Sequence, residues 1–480
     1  MDGLVIGDVF RNAARAAPRA TAAVHGDRVL TFGGLDADSD RLAGALQGRG
    51  IGVGDRVLTW AGTSLDAVVL FAALAKLGAV YVPIAGNLGR EEAERLIRLA
   101  RPRVVIVDGE PAFADALRLS ELSAAAGAAD VAFAPPVVDE ADPHVIFFTS
   151  GSTGDSKGVV LSHRVNHLRT HAGALPEPRG PLVCVYPLFH MAAWTLSLQQ
   201  WQARGAVVYV DQPDGRPIVD AIRHHDVERI NAVPAVWRRI LDHLGPGGTL
   251  PSLRFADTGT STTPPALLAA IAAAAPAATV RVFYGSTEAG NVASLVGDDV
   301  ASHPHSCGAP SVSAQVRLDD GELCVRGPLL FDGYFDDPAA TAAALRDGWF
   351  HTGDLATVDA DGYLSIVGRC GEVIRTGGEA VVPAEVEAVL AELGTVAEVA
   401  IVGVPDESWG EVVCAVVVPR EASGPPTLEE IRAHCAGRLA AFKHPRRLEL
   451  RSDLPRTAAT GQVQRRLLAQ ELAGGSTVRS

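Results

Sequence analysis

Short Val/Ile-rich runs alternate along this chain with longer stretches of helical periodicity, and nothing else in the sequence narrows the fold so much. "DRVLTW" precedes "LDAVVLFAALAKLG", "EEAERLIRLA" leads into "RVVIVDG", "PLVCVYPL" into "MAAWTLSLQQW", and "GAVVYV" into "IVDAIRHH". Apolar runs this short suit strands covered on both faces. The helical stretch between two such runs carries the chain back to start a parallel neighbour. The expectation is an α/β fold with largely parallel sheets. At 480 residues the chain exceeds one hydrophobic core, so at least two domains are expected. From about Ser313 the strands shorten, and "AQVRLDDGELCVRG" reads as a hairpin around Asp319–Gly321. After "GYLSIVGRCGEVIRTGG" come two helical patterns ("PAEVEAVLAEL", "LEEIRAHCAGRLAAF") and two strands ("VAEVAIVGV", "EVVCAVVVP"). They read as a small α+β domain hinged near Arg369–Glu372. "REASGPPT" is a loop within it.

Composition removes several function classes. A net charge of -14 lacks the basic footprint that nucleic-acid binding needs. The N-terminal "MDGLVIGDVFRNAARAAPRA" has no unbroken apolar core of a signal peptide, and the apolar runs are too short and too interrupted to span a membrane. The cysteines Cys184, Cys307, Cys324, Cys370, Cys414 and Cys435 are scattered without a CxxC pair, which favours free thiols in a reducing cytoplasm. Lys76, Lys157 and Lys443 are the only lysines; every other basic residue is arginine. Any step that needs an ammonium group has three candidates.

The segment "FFTSGSTGDSKGVVLSH", Phe147 to His163, passes from an apolar strand into a Ser/Thr/Gly turn, then Lys157, then an apolar stretch that reads as a helix start. Glycines permit close approach, hydroxyls and backbone N–H groups line an anion-binding turn, and lysine adds a point charge. A Walker loop has Gly immediately before its Lys, whereas Ser156 precedes Lys157 here, so the chemistry is a different phosphate chemistry.

Four segments, in order, suggest which one: "TSGSTGDSKG" at 149–158, "YGSTEAG" at 284–290, "WFHTGDLATVDADGYLSIVGRCGEVIRTGGE" at 349–379 and "LPRTAATGQVQRR" at 454–466. Together they resemble the adenylate-forming superfamily, in its acyl-CoA synthetase branch, over nearly the whole chain. The resemblance implies a large domain, 1–369, of stacked mostly parallel sheets with helices and a small β-barrel-like part. A small mobile α+β domain, 370–480, would follow. It implies a carboxylic acid, CoA and AMP, acyl-AMP or ATP as ligands, with Mg²⁺ if adenylation occurs. Thr149, Ser150, Gly151, Ser152, Thr153, Gly154 and Lys157 would hold the phosphates. Tyr284 and Gly285 would lie at the adenine, Thr287 at the α-phosphate, and Glu288 at the metal. A carboxylate beside phosphate oxygens is what a hard cation needs. Asp354 would accept both ribose hydroxyls, with Arg369 as a second contact. His190 would stand at the mouth of an acyl pocket walled by Trp194, Trp237, Gly259, Thr260 and Ser261. Gly377, Gly378 and Glu379 would meet the pantetheine of CoA and Lys443 its phosphates, with Gly371 at the hinge.

One departure divides the reaction. The family's adenylation lysine sits in a "PRTxxGK" pattern; here Gln462 takes its place, with one additional residue between Pro455 and Gly461. That lysine offsets the repulsion between substrate carboxylate and α-phosphate, and glutamine brings no charge. Losing one well-placed donor costs on the order of 10²–10³ in rate. Thioester formation from acyl-AMP does not use it. The reading is therefore an acid–thiol ligase that forms the CoA thioester from preformed acyl-AMP, supplied by a separate adenylating enzyme. A complete ATP-dependent synthetase with Arg465 or Arg466 acting for the lysine, an activator of acids for a separate carrier protein, and a non-enzymatic nucleotide or acyl-ligand sensor remain as alternatives.

Overall fold

In the computed structural model, which describes residues 3–109, 116–128, 133–150, 156–171, 179–421, 424–457 and 462–474, the alternation becomes two sheets with parallel cores. In the first, the parallel strands Thr279–Ser286, Phe255–Gly259, Arg229–Asn231, Leu182–Cys184, Val207–Tyr209 and Thr21–His25 are neighbours in that order. Gly290–Val296 and Arg28–Thr31 add on antiparallel at the two sides. In the second, Arg56–Trp60 lies between Val80–Ile84 and Val104–Val107, all parallel. Pro143–Ser150 joins Val80–Ile84, and Ser156–Ser162 pairs back on it antiparallel.

Helix Leu65–Leu77 packs on Val80–Ile84 of one sheet and Thr21–His25 of the other. It is apolar around nearly its whole circumference because it is buried around nearly its whole circumference. Ser64 caps its first turn and Gly78, at φ +70°, ends it. Phe71 on this helix stacks on Trp194 at 3.9 Å between ring centres. Near its end, the fully buried Lys76 ammonium donates to Asp36 Oδ1 (2.6 Å), Asp40 Oδ1 (2.7 Å) and the Asp36 carbonyl (2.9 Å). All three N–H groups are satisfied, which is the condition for a buried ammonium to be tolerated.

The stretch after Lys157 is a strand, not the expected helix start. Val159, Val160 and Leu161 pair with Phe147, Ile146 and Val145, and the helix begins at His163 with Ser162 as its cap. Adjacent β-branched residues favour the ladder.

The chain divides into two compact units, 1–315 with 325–350, and 316–324 with 351–480. This division follows compactness. In the second unit, the 354–358 part of strand Trp349–Val358 pairs antiparallel with Leu364–Arg369. A further sheet is built on the long hairpin Val396–Asp406 and Gly410–Pro419. Alternate residues of that hairpin serve two cores. Ile401, Val413, Ala415 and Val417 meet Val386, Leu390 and Ile431 from helices Pro383–Leu390 and Leu428–Cys435. Ala400, Val402, Val412 and Val416 meet Leu468 of helix Arg465–Gly474. Burial on both faces explains why these strands read as continuous apolar runs. No helix among the described residues is long and apolar enough to cross a membrane.

His144 and His163 lie in the first unit with ring centres 4.7 Å apart, both fully buried. His163 Nδ1 accepts from the Ile6 N–H at 3.2 Å, and His144 Nδ1 faces the Asn166 amide nitrogen at 2.9 Å. Burial pushes the His163 pKa down to about 4, against the opposing pull of Asp142 and Asp8. Burial and then the neighbouring His163 hold His144 well below the usual range. Both are neutral at pH 7 and take up protons on unfolding. Their contribution to stability is therefore complete above pH 6.5 and is lost as pH falls from 6.5 toward 4. A buried histidine depressed this far contributes up to about 3 kcal/mol of that dependence. Thermal unfolding should show Tm falling through this window, and His144→Gln, which cannot titrate, should make the fall shallower.

Candidate active site

The phosphate-loop hairpin hangs on the ladder between Pro143–Ser150 and Ser156–Ser162, in which Thr149 faces Lys157 and Ser150 faces Ser156. Gly151, Ser152, Thr153 and Gly154 lie outside the described residues. The short strand Gly333–Tyr334 pairs on the outer side, Tyr334 opposite Val159. This register sets the Lys157 ammonium over the Tyr334 ring, 4.9 Å from its centre. The Tyr334 hydroxyl donates to Glu288 Oε1 at 3.1 Å. Glu288 belongs to the predicted "YGSTEAG" segment, which turns between the antiparallel strands Thr279–Ser286 and Gly290–Val296. Tyr284, Thr287 and Glu288 are half-buried and Gly285 is exposed. Lys157 and Glu288 are thus linked through Tyr334.

The residues expected at the acyl pocket separate into two groups. His190 caps helix Met191–Gln202: its Nδ1 accepts from the Ala192 N–H at 3.1 Å and its ring stacks on Tyr186. Burial pushes its pKa down to about 4. At neutral pH it is an uncharged imidazole whose Nε2 carries the proton and serves as a donor. Gly259 ends the strand Phe255–Gly259, where a Cβ would stand 2.4 Å from the Phe283 carbonyl oxygen; close approach requires glycine there. Thr260 follows in the left-handed region at φ +65°, and Ser261 is exposed. Both tryptophans are buried. Trp194 lies against Phe71 and Tyr81 and donates to the Leu188 carbonyl at 2.6 Å. Trp237 is fully buried and donates to the Asp257 carbonyl at 2.9 Å.

In the second unit, hairpin pairing sets Asp354 opposite Arg369, and Arg369 Nε meets Asp354 Oδ1 at 2.9 Å. The two residues expected at the ribose are therefore neighbours. Asp354 is buried while the Arg369 side chain is half-exposed. Gly377 and Gly378 form the two-residue turn between Ile374–Thr376 and Glu379–Val381, with φ of +59° and +89°. A Cβ at Gly377 would also lie 2.6 Å from the Trp409 ring. Glu379 is exposed at the start of its strand. Lys443 is bound to Glu385 through both carboxylate oxygens at 2.5 and 2.7 Å. Gly371 sits in the single turn Cys370–Glu372 with open space where a Cβ would be.

Gln462 is exposed. Its backbone closes a turn with Thr457: the Thr457 N–H donates to the Gln462 carbonyl at 2.8 Å, and the Gln462 N–H to Thr457 Oγ1 at 3.1 Å. Residues 458–461 lie outside the described residues. Arg465 is held by Glu387, at 3.0 Å to Oε1 and 2.8 Å to Oε2, and by Glu372 at 3.2 Å.

Residues without a sequence signal complete the arrangement. Tyr334 is one. A second is Arg446, whose guanidinium lies 3.8 Å from the centre of the Trp409 ring. The Trp409 carbonyl accepts from the Gly377 N–H at 2.9 Å, so this platform adjoins the glycine turn. A third is Arg169, treated below. For a metal, Glu288 retains a carboxylate oxygen beyond its bond to Tyr334, and Thr287 adds a hydroxyl. That set fits a hard cation kept mainly by phosphate and water oxygens. Asp319, Cys324 and His351 also bring ligand atoms within 4.8 Å of one another, and two of the three are engaged by other side chains. His351 Nδ1 faces Glu322 at 3.0 Å and Arg317 hydrogen-bonds the Cys324 thiol.

The description "AMP-binding enzyme" fits residues 10–335, and "AMP-binding enzyme C-terminal domain" fits residues 385–460. Feruloyl-CoA synthase of Amycolatopsis sp is 36% identical, over 94% of this chain and 97% of its own. Indoleacetate–CoA ligase of Aromatoleum aromaticum is 32% identical, over 93% of this chain and 94% of its own. Among solved structures, o-succinylbenzoate CoA synthetase from Bacillus subtilis, in complex with its acyl-adenylate intermediate, superposes with a TM-score of 0.86 at 25% identity, covering 96% and 97% of the two chains. ATP-bound MatB from Rhodopseudomonas palustris gives 0.87 at 27%, covering 97% and 99%. With this agreement of both domain models, full-length relatives and solved folds, the chain belongs to the AMP-binding enzymes, within the acyl-CoA ligase family.

Proposed function

We propose that this acyl-CoA ligase homologue carries out the thioester half of the family reaction. It takes preformed acyl-AMP and CoA and makes little or no adenylate itself. In that step the CoA sulfur attacks the acyl carbonyl of the mixed anhydride, the C–S bond forms, and the C–O bond to AMP breaks. AMP leaves with the bonding pair, and the thiol proton passes to solvent or a base. No new repulsion between anions has to be overcome, because the acyl carbon is already activated.

The observation that carries the reading is the neutral residue at 462 together with the way the lysines and Arg465 are engaged elsewhere. The resemblance assigns this position to the adenylation lysine, and Gln462 is neutral. Lys76 is enclosed by Asp36 and Asp40, Lys443 is bound to Glu385, and Lys157 lies over Tyr334 in the phosphate hairpin. Arg465, the nearby substitute, is engaged by Glu372 and Glu387. The residues proposed for nucleotide and thiol are present. Tyr284 and Thr287 would take adenine and α-phosphate, and Asp354 and Arg369 the ribose. Gly377, Gly378 and Glu379, beside Trp409, would take pantetheine. Mg²⁺, where it binds, would be held by Glu288 and neutralise phosphate charge. Residues 370–480 are proposed to turn about Gly371 between the poses for the two substrates. The free cysteines suit a reducing cytoplasm.

A second reading is kept because the relatives bear the names of complete ligases and synthases. In it the chain activates its own acid with ATP, and Arg466 or a released Arg465 stands in for the lysine. Which acid is used, and whether the acceptor is CoA or a carrier thiol, is tested by substrate panels in the same assay.

Supplied acyl-AMP and CoA should give thioester rapidly, whereas ATP with the same acid should give pyrophosphate exchange about 10²–10³ below a lysine-bearing ligase. Gln462→Lys should raise exchange, more so when Ala458 or Ala459 is deleted to restore the spacing. Exchange by the unmodified protein at the rate of a complete ligase would establish the second reading. Asp354→Ala removes a charged acceptor for the ribose hydroxyls and should weaken AMP binding about tenfold to a hundredfold in calorimetry. Unchanged affinity would mean that the nucleotide lies elsewhere.

A further inference from the structure

Arg169 closes the last turn of helix His163–Thr170 and is only 8% exposed. Its guanidinium is surrounded by backbone carbonyls. Nη1 donates to the Thr287 oxygen, Nη2 to the Glu288 oxygen and Nε to the Leu329 oxygen, each at 2.8 Å. Met191 Sδ lies 3.6 Å from Nη1. A Cβ at Gly290 would stand 3.0 Å from Nε, so the planar fork runs directly beneath the end of the "YGSTEAG" turn. Among the described residues no carboxylate meets the guanidinium at contact. Glu288 and Asp332 act on it only through space, and burial pushes its pKa down to about 10, which leaves it protonated at neutral pH.

A buried cation held by dipoles alone is costly, since each carbonyl supplies a partial charge where a carboxylate would supply a whole one. A loop clamp by itself would not need the charge; a neutral amide would reach one or two of the same carbonyls. Two features show what the guanidinium adds. Three N–H groups in a fixed plane set the orientation of two consecutive peptides, 287–288 and 288–289. In a trans peptide the N–H points away from the carbonyl, so drawing the Thr287 oxygen toward Arg169 turns the Glu288 N–H to the opposite side. The uncompensated positive charge lies directly behind those peptides.

We infer that Arg169 is a positioning residue for the nucleotide. It fixes the Thr287–Glu288 peptide at the phosphate end of the site and supplies positive charge from behind the loop. The inference rests on the reading of Thr287 as the α-phosphate contact. Arg169 itself touches no ligand. A phosphate monoester or acyl-phosphate anion in front of the loop would feel an oriented peptide and a cation in a low-dielectric setting, where such charges act strongly.

The test uses the full chain with AMP as probe, reading AMP affinity by calorimetry beside the Tm of the ligand-free protein. Arg169→Lys keeps the charge and loses the fork. It should bind AMP about tenfold more weakly, the worth of one or two charged hydrogen bonds. Arg169→Met loses both and should fall further. In Arg169→Ala, added millimolar guanidinium should restore AMP binding and thioester formation, and urea, of the same shape without charge, should not. A purely structural arginine would lower Tm and leave the affinity of the folded protein unchanged. That result, or equal rescue by urea, would overturn the inference. Should Arg169→Met or Arg169→Ala fail to fold, Arg169→Lys decides alone, and unchanged affinity there is a refutation. Thr287→Ala separates the two levels. If it leaves AMP affinity intact, the reading of the loop has failed; if it weakens AMP while the Arg169 variants do not, only the inference about Arg169 has failed.

Discussion

Antiparallel register at the rim of a parallel sheet is the constraint on which the phosphate end of this molecule depends. Pro143–Ser150 enters the sheet beside a parallel neighbour, yet Ser156–Ser162 returns beside it antiparallel. Only an antiparallel return can close over a short connection, so the register of this pair sets where residues 150 and 156 stand. The third strand, Gly333–Tyr334, then has one register in which Tyr334 lies opposite Val159. A slip of one residue would send the Tyr334 ring to the other face, away from both Lys157 and Glu288. Loop lysine, aromatic ring and carboxylate are thus placed by backbone pairing, and their own interactions add to a geometry already set.

The same logic explains how much of the molecule was legible in its sequence. The parallel strands and their covering helices could be read because burial on one or two faces imposes a period, and periods survive in sequence. The stretch after Lys157 could not: "GVVLS" is short and apolar, and a short apolar run does not distinguish strand from buried helix. Only its pairing partner decides. Helix Arg465–Gly474 carries a weak signal because it is short, and Arg465, Arg466, Gln470 and Glu471 interrupt the apolar positions Leu468, Ala469 and Leu472 that meet the core. For the site, the contiguous motifs were visible as motifs. Tyr334, Arg446 and Arg169 were not, since each is a single residue whose partners lie far along the chain. Trp194 and Trp237, expected from the resemblance at the acyl pocket, are buried with their indole N–H groups satisfied by backbone carbonyls.

Positive charge is distributed unusually in a chain with three lysines. Lys76 is spent in the core, where it joins helix Leu65–Leu77 to the carboxylates of helix Phe32–Gln47. Lys443 is matched by Glu385. Arginine has taken most other cationic roles, and it fulfils them differently. Its plane can collect several carbonyls at once, as Arg169 does, or lie on an aromatic ring, as Arg446 does on Trp409. What it does poorly is act as a compact ammonium placed between two converging anions.

That difference bears on the two chemical steps unequally. Adenylation drives a carboxylate onto a phosphorus already surrounded by negative oxygens, so a mobile point charge between them changes the barrier directly. Thioester formation attacks a neutral carbonyl, and charge builds mainly on the departing phosphate. A fixed cation behind the loop and an oriented peptide in front of it meet that demand, because the phosphate stays in place while its charge grows. On the reading proposed above, Gln462 in place of a moving lysine and Arg169 as a stationary cation would lose electrostatic help where two anions must approach. They would retain it where one anion must leave.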